Sequence, residues 1–398
     1  MNKAFRYRLY PTQEQQKILA SHFGQARFVY NYFLRQRIDF YAAHKGEKKQ
    51  SLSYYDTAKM LTDLKNQPET FWLQESNAQS LQRSLRHLDA AYSHFFKHKF
   101  QFPKFKKKHH KQSFSVPQNF KIDTKQSLLY LPKLTPLKFV MHRPFNGLVK
   151  SVTISKTSSG KYFVSVLCEI ETTVKPKKNG SKIGLDLGLK SFVVTSGDER
   201  IEAPQFYRRS EHRLKLLQRR VSRKVKGSNN RNQARIKVAR LHEHIANQRK
   251  DFLHKLSHQL VSENQALYVE DLNVKGMNQN HRLAKSIHDA SWSEFIRQLK
   301  YKSEWTGTHF EQIDRFFPSS KRCVHCGWIN ENLTLRDREW TCQACGKTID
   351  RDINAAQNIL QFANNTNNII VGWDAPKLQR PGRCGALRPV VELGSSRC

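Results

Sequence analysis

The alternation of apolar and polar positions divides the chain into extended and helical stretches. Residues 3–10, KAFRYRLY, alternate as a strand does, and Pro11 followed by Thr12 ends the run. From there to about Phe100 the pattern is helical, with Leu19, Phe23, Phe28, Phe33 and Ile38 spaced through a polar, basic sequence without strong breakers. A second helical block runs from Gln79 to Phe96, where Leu81, Leu85, Leu88, Ala91, Tyr92 and Phe95 follow spacings of three and four. Both stripes read as core. Residues 113–171 change character: SFSV, FKI, LLYL, LKFV, VKSVTIS and KYFVSVLCEI are short β-type runs separated by turn chemistry such as Thr157-Ser158-Ser159-Gly160. They predict a small antiparallel sheet or barrel. A polar linker, VKPKKNGSK (174–182), marks a domain boundary.

A new α/β unit opens at Ile183. IGLDLG and FVVTSG predict two strands and ERIEA a third. Residues 205–262 predict a long helical hairpin broken at Gly227-Ser228-Asn229-Asn230. Its first arm is nearly all basic on its polar faces, and its second carries Val238, Leu241, Ile245, Phe252, Leu256 and Leu260 on one stripe. A strand ALYVED (266–271), a helix in WSEFIRQLKYKSEW and a strand HFEQIDRF follow.

The 398 residues give room for about two or three domains. No run of eighteen or more apolar residues predicts a membrane span, and the N-terminus lacks the apolar segment of a secretory signal, so an intracellular protein is expected. The formal net charge of +36 alters the picture most. A compact chain so charged repels itself unless a polyanion neutralises it, and nucleic acid does so with release of counterions. The basic run FPKFKKKHHK (102–111) is then either a solvated loop or a segment tracking phosphates through residues such as Lys104 and Lys106, and the overall charge favours the second. Charge alone favours a binder without chemistry, because most strongly basic chains only bind. The decision rests on motifs.

Four of the seven cysteines form two CxxC pairs, Cys323/Cys326 and Cys342/Cys345, fifteen residues apart. Two thiolates on each tight knuckle complete an all-sulfur set around one tetrahedral ion, and a glycine follows each knuckle (Gly327, Gly346). This predicts structural Zn²⁺ in a ribbon rather than a redox dithiol; a closed four-thiolate site leaves no position for substrate. Cys168, in an apolar alternating stretch, reads as a buried thiol.

Three acids stand out by their settings. Asp186 lies mid-strand in Ile183-Gly-Leu-Asp-Leu-Gly, where a charge is costly unless paired or bound to metal. Glu270 ends the apolar strand Ala266-Leu-Tyr-Val. Asp352 lies at a helix start beside Asp350, the candidate N-cap. Each alone is ordinary, an ion-pair partner or a cap. Together a strand Asp, a later strand-end Glu and a helix Asp match the metal plan of RNase H-like nucleases, in which two hard cations about 4 Å apart are held by carboxylate oxygens. Mg²⁺ or Mn²⁺ suits such ligands.

The segments KAFRYRLYPTQEQ, GQARFVYNYFL, FPKFKKK, IGLDLGLKSF, YVEDLNVKGM, SWSEFIRQLKYKSEW, FPSSKRCVHCG and WTCQACGKTIDRDINAAQNI closely resemble the TnpB family, RNA-guided nucleases of insertion sequences related to type V CRISPR effectors. The match covers roughly residues 1–362 in the family's order. The resemblance implies that Asp186, Glu270 and Asp352 are a RuvC-like catalytic triad, with Asp350 a helper or cap. Ile349 stands where relatives often carry His, which leaves the ligand set intact.

The resemblance also implies a domain plan: residues 1–10 as the first strand of a wedge β-barrel, 11–112 as a helical recognition domain, 113–180 as the rest of the barrel, and 181–362 as the RuvC-like domain with a zinc ribbon (320–348) inserted. Residues 363–398 are expected to be a tail. The implied partners are a guide RNA from the element's end and double-stranded target DNA next to a short motif, with one monomer per guide RNA, in the bacterial cytoplasm or nucleoid. Tyr54 and Gln82 stand where such proteins touch that motif. Arg219, Arg220, Arg223 and Lys224 of the basic hairpin are expected on the RNA or heteroduplex backbone. Two other readings compete: a transposase that joins strands itself, and a regulator that binds nucleic acid without catalysis.

Overall fold

In the computed structural model, which describes residues 1–47, 51–109, 111–171, 174, 176–177, 180–334 and 336–367, strand β1 (Asn2–Leu9) buries Phe5, Tyr7 and Leu9 on one face, as its alternation predicts. Thr12 then caps the long helix α1 (Gln13–Ala43) through a reciprocal box: its hydroxyl accepts from the Gln15 amide, and the Gln15 side chain accepts from the Thr12 amide. Ser53 and Asp56 repeat this device at α2 (Tyr54–Asn66). A 3₁₀ turn (Pro68–Glu75) leads to α3 (Ala78–Phe96). Phe33 and Leu34 of α1, Leu61 and Leu64 of α2, and Leu81, Leu85 and Leu88 of α3 share one core.

Six further strands follow: β2 (Gln112–Val116), β3 (Lys121–Asp123), β4 (Leu128–Leu131), β5 (Leu134–Val140), β6 (Leu148–Lys156) and β7 (Tyr162–Glu169). With β1 they form an antiparallel sheet of order β2-β6-β7-β1-β5-β4-β3. Among the described residues no ladder joins the end strands β2 and β3. Leu19, Phe23 and Ala26 of α1 pack into this sheet's core, where Cys168 is fully buried.

The helices α4 (Phe206–Ser222) and α5 (Asn229–Glu263) form the expected hairpin, packed through Leu214, Leu241 and Ile245. The chain divides into two compact units. Residues Gln205–Leu256 of this hairpin group with Met1–Lys175; the other unit comprises Pro176–Pro204 and Ser257–Cys398.

The second unit is built on a five-stranded sheet whose strands lie in the order Arg200–Glu202, Ser191–Thr195, Lys182–Asp186, Ala266–Glu270 and His309–Ile313. Strands β8 (Lys182–Asp186), β9 (Ser191–Thr195) and β10 (Arg200–Glu202) run antiparallel in succession, while β11 (Ala266–Glu270) and β12 (His309–Ile313) run parallel to β8. Residues 266–269 of β11 are all buried, as a central parallel strand requires. Helices α6 (Val274–Met277), α7 (His281–Ala290) and α8 (Trp292–Thr306) lie between β11 and β12 in the chain. The hairpin of β13 (Glu339–Thr341) and β14 (Thr348–Asp350) runs directly into α9 (Arg351–Asn367). The helix therefore continues past residue 362, where the tail was expected to begin; residues 368–398 lie outside the described residues. No helix among the described residues is long and apolar enough to cross a membrane.

Helix α9 packs on β8 through Ala356, which is fully buried, and the approach is so close that a Cβ on Gly184 would overlap the Ala356 carbonyl oxygen. Backbone cannot give way as a side-chain tip can. Gly184→Ala should cost about 3 kcal/mol, the upper end of overpacking, read as a lower midpoint in urea unfolding. An unchanged midpoint would mean that strand and helix separate easily.

Candidate active site and metal centre

Asp186 closes β8 rather than lying within it, and Glu270 closes β11. The two strands are parallel neighbours whose last paired residues are Leu185 and Val269, so the two carboxylates follow side by side at the carboxyl ends of the sheet. On the other side β8 pairs antiparallel with β9. The carboxyl ends of neighbouring parallel strands are where open α/β sheets present ligand sites.

The charges are felt strongly. The Asp186 carboxyl is pushed up to about 7, first by burial and then by the charges of Glu270 and Asp352, against the pull of Arg351 and the Leu187 amide. Glu270 is also raised, by burial and by Asp271. A raised carboxyl value means that the fold favours the protonated form. Asp186 therefore contributes stability at low pH that is lost as pH climbs from the ordinary carboxylate range through about 7. Asp186→Asn, neutral at every pH, should raise the Tm of metal-free protein at pH 8 by about 2–4 °C, the shift that roughly 1 kcal/mol produces, and should have little effect at pH 4. A Tm difference that stays flat with pH would contradict the crowding of charge.

Asp352 comes from the first turn of α9. Asp350 caps that helix: its Oδ1 accepts from the amides of Asp352 and Ile353, both at 3.0 Å, and its Oδ2 pairs with Arg200 at 2.7 Å. Burial raises Asp350, but the Ile353 amide and Arg200 outweigh it and leave the carboxyl below its ordinary value. Asp352 is held by two arginines, Arg338 at 3.3 Å and Arg351 at 3.1 Å. Among the described residues no cation forms an ion pair with Asp186 or Glu270. Arg200 and Arg338 were not visible in the sequence, because pairing between distant residues leaves no local signal, whereas Arg351 stands directly beside the Asp352 it pairs with.

The four thiols meet as the spacing predicts. The sulfurs of Cys323, Cys326, Cys342 and Cys345 all lie within 4.8 Å of one another, with Cys323–Cys345 at 3.7 Å and Cys326–Cys342 at 3.5 Å. Tetrahedral zinc with Zn–S bonds of about 2.3 Å sets sulfurs roughly 3.8 Å apart, so the donor set fits zinc. Gly327 and Gly346 take φ of 80° and 70°, the left-handed conformation each knuckle turn needs. Among the described residues, the three carboxylates do not repeat this single-ion spacing.

The nucleic-acid candidates all lie in the first unit. Arg86 stacks on Tyr54 at 3.9 Å, and Gln82 lies exposed one turn earlier on the same helix as Arg86. Lys104 is exposed and donates to Gln101. Although much of Lys106 is exposed, its ammonium lies 3.9 Å from the Tyr30 ring centre, and desolvation lowers it to about 8; Asn31 holds both its backbone groups. Arg219, Arg220, Arg223 and Lys224 are exposed at the end of α4. A groove of about 1010 Å³ also brings together Arg231 and Arg235 of the basic hairpin with Arg27 and Lys156, two residues the sequence did not single out.

A "Putative RNA-guided DNA endonuclease" of Streptomyces pristinaespiralis is 41% identical over 363 residues, covering 90% of this chain and 89% of the relative. The chain belongs to the TnpB family. A second relative, the "Putative RNA-guided DNA endonuclease InsQ" of Escherichia coli, is 35% identical over 374 residues, covering 90% of this chain and 91% of that protein. Three family descriptions match parts of this TnpB-family chain: "Helix-turn-helix domain" at residues 1–46, "Probable transposase" at 165–281 and "Cas12f1-like, TNB domain" at 292–359. Over the first of these the fold is one strand and one continuous helix. Among solved structures, the Cas12f1 chain of a Cas12f1–sgRNA–target DNA complex shares the fold with a TM-score of 0.56 at 12% identity, covering 90% of this chain and 98% of that one.

Proposed function

We propose that this chain is the RNA-guided DNA endonuclease of an insertion sequence, cutting DNA complementary to a bound guide RNA through a RuvC-like acidic site. The observation that carries the catalytic reading is the side-by-side exit of Asp186 and Glu270 from β8 and β11, with Asp352 near enough to raise Asp186 further. Three antiparallel strands followed by two parallel ones support an RNase H-like sheet.

In this reading Asp186, Glu270 and Asp352 hold Mg²⁺ or Mn²⁺, hard cations that suit oxygen donors. When bound, these ions supply activation of the attacking water and neutralise charge on the leaving oxygen. A site taking more than one such ion would not require the three carboxylates to close around one centre. Asp350 and Arg200 orient the start of α9, and Arg351 and Arg338 balance the charge of Asp352. The antiparallel sheet, on this reading the wedge, the helices before it and the basic α4–α5 hairpin serve RNA and heteroduplex binding, with the sequence read by base pairing.

Copurification tests the proposal. RNA bound to the expressed protein is sequenced, and a duplex matching its 3′ portion is offered in Mg²⁺. Guide-dependent cutting that ends in hydrolysed strands is expected. Joined strands would point to a strand-transfer enzyme, and binding without cutting would point to a regulator.

A further inference from the structure

Helix α9 presents a row of carboxamides, Asn354, Asn358 and Gln361, at successive helical turns. Asn354 and Asn358 are fully buried, in a protein whose interior is otherwise mostly apolar. The Asn354 Nδ2 donates to the Arg322 carbonyl at 2.7 Å and lies 3.4 and 3.3 Å from those of Ser319 and Ser320. Its Oδ1 accepts from the Val324 amide at 3.0 Å. The Asn358 Nδ2 donates to the carbonyls of Ser319 at 2.8 Å and Arg322 at 2.6 Å. Gln361 reaches the Val324 carbonyl at 3.3 Å. Arg322 and Val324 flank Cys323. The backbone on both sides of the first thiol is thus bonded to the helix that begins with Asp352.

Next to these carbonyls lies the Cys323–Gly327 knuckle, which carries two of the four clustered sulfurs. The Cys323 amide donates to Trp328 at 2.7 Å, and the Gly327 amide donates back to Cys323 at 2.9 Å. At its other end the ribbon also grips the start of α9. The Arg351 amide donates to the Arg338 carbonyl at 2.7 Å, and the Arg338 side chain pairs with Asp352. A buried carboxamide that loses its carbonyl partner is left as a desolvated, unsatisfied polar group, which is costly. A shift of the knuckle must therefore either be transmitted to α9 or leave two such groups unpaired.

We propose that Asn354 and Asn358 are positioning residues that couple the two metal sites. Zinc in the ribbon fixes the knuckle, the knuckle fixes the first two turns of α9, and zinc occupancy raises the affinity for divalent metal at Asp186, Glu270 and Asp352. The coupling rests on the acidic-site reading above. Because coupling free energies are reciprocal, divalent metal at the acids must also hold zinc more firmly.

The test uses the full chain with its zinc content measured, titrated with Mn²⁺ while electron paramagnetic resonance reports the free ion. The double variant N354A/N358A should keep its zinc yet bind Mn²⁺ about tenfold more weakly. Stripping zinc from the wild type should weaken Mn²⁺ to a similar degree, and the double substitution should then add nothing. Mn²⁺ affinity within twofold of wild type in the zinc-loaded double variant overturns the coupling. If that variant does not fold, the wild type decides: saturating Mn²⁺ should slow zinc release to a chelator severalfold, and D352A should abolish the effect. An unchanged release rate overturns the proposal. Wild type that binds no Mn²⁺, or Mn²⁺ binding that survives D186A, overturns the acidic-site reading and the coupling with it. Binding lost in D186A but indifferent to N354A/N358A overturns the coupling alone.

Discussion

Asp186→Ala, Glu270→Ala and Asp352→Ala will each lower guided DNA cleavage by about a thousandfold or more, which corresponds to roughly 4 kcal/mol of lost transition-state stabilisation. The expectation follows from the sheet. Two of the acids leave adjacent parallel strands, the third sits at the start of the helix packed on β8, and the charge of each disfavours the ionised form of Asp186. Such crowding is tolerable at neutral pH when cations share it. RNA affinity, read by filter binding, should change by less than about twofold, because the candidate RNA contacts lie in the other unit. Asp350→Ala separates a cap from a ligand. It should lower Tm through the lost cap, worth about 1 kcal/mol, while cleavage falls by less than tenfold. Wild-type cutting by any of the three principal variants would remove that residue from the site.

Loss of the four-thiol centre will have the second large effect. Structural zinc sites contribute on the order of 10 kcal/mol to the folding of the segments they close. The ribbon has a small core of its own, Cys323, Leu333, Trp340, Cys342 and Ile349, too little to stand without the metal. Cys323→Ser should therefore yield protein with less than one zinc per chain, lower solubility and no detectable cutting. Zinc analysis and a thermal melt of the purified variant check this. Full zinc content together with an unchanged melt would show that the thiols do not share one ion.

Much of this was legible in the residues because the signals were local. CxxC spacing states a metal site in two short words, and KAFRYRLY and the α3 stripe carry their periods openly. Asp186 was visible as a charge in an apolar run, but its place at the end of β8 was not, since Leu187 and Gly188 continue the apolar pattern beyond the last paired residue. The arginines around Asp350 and Asp352 were hidden for a different reason: Arg200 and Arg338 resemble any of the chain's many surface cations until folding selects them. Asn354 and Asn358 did offer a signal, two amides four apart beside Ala355, Ala356 and Ile359, residues of a buried helical face. The grouping of residues 205–256 with the first unit left no local mark.

The order in which the acidic site is assembled follows from its topology. Strand β8 must wait for the whole α4–α5 hairpin to be made before β11 exists to pair with it, and α9 comes last of the described elements. A chain growing from the ribosome thus completes its basic unit, the one proposed to bind RNA, while the third carboxylate is still unmade, and parallel pairing across so long an insertion forms slowly. Fragments released early would carry the affinity for nucleic acid without the means to break it. On the proposed acidic-site reading, the nascent chain gains the means to cut DNA only when almost the entire described chain has been read.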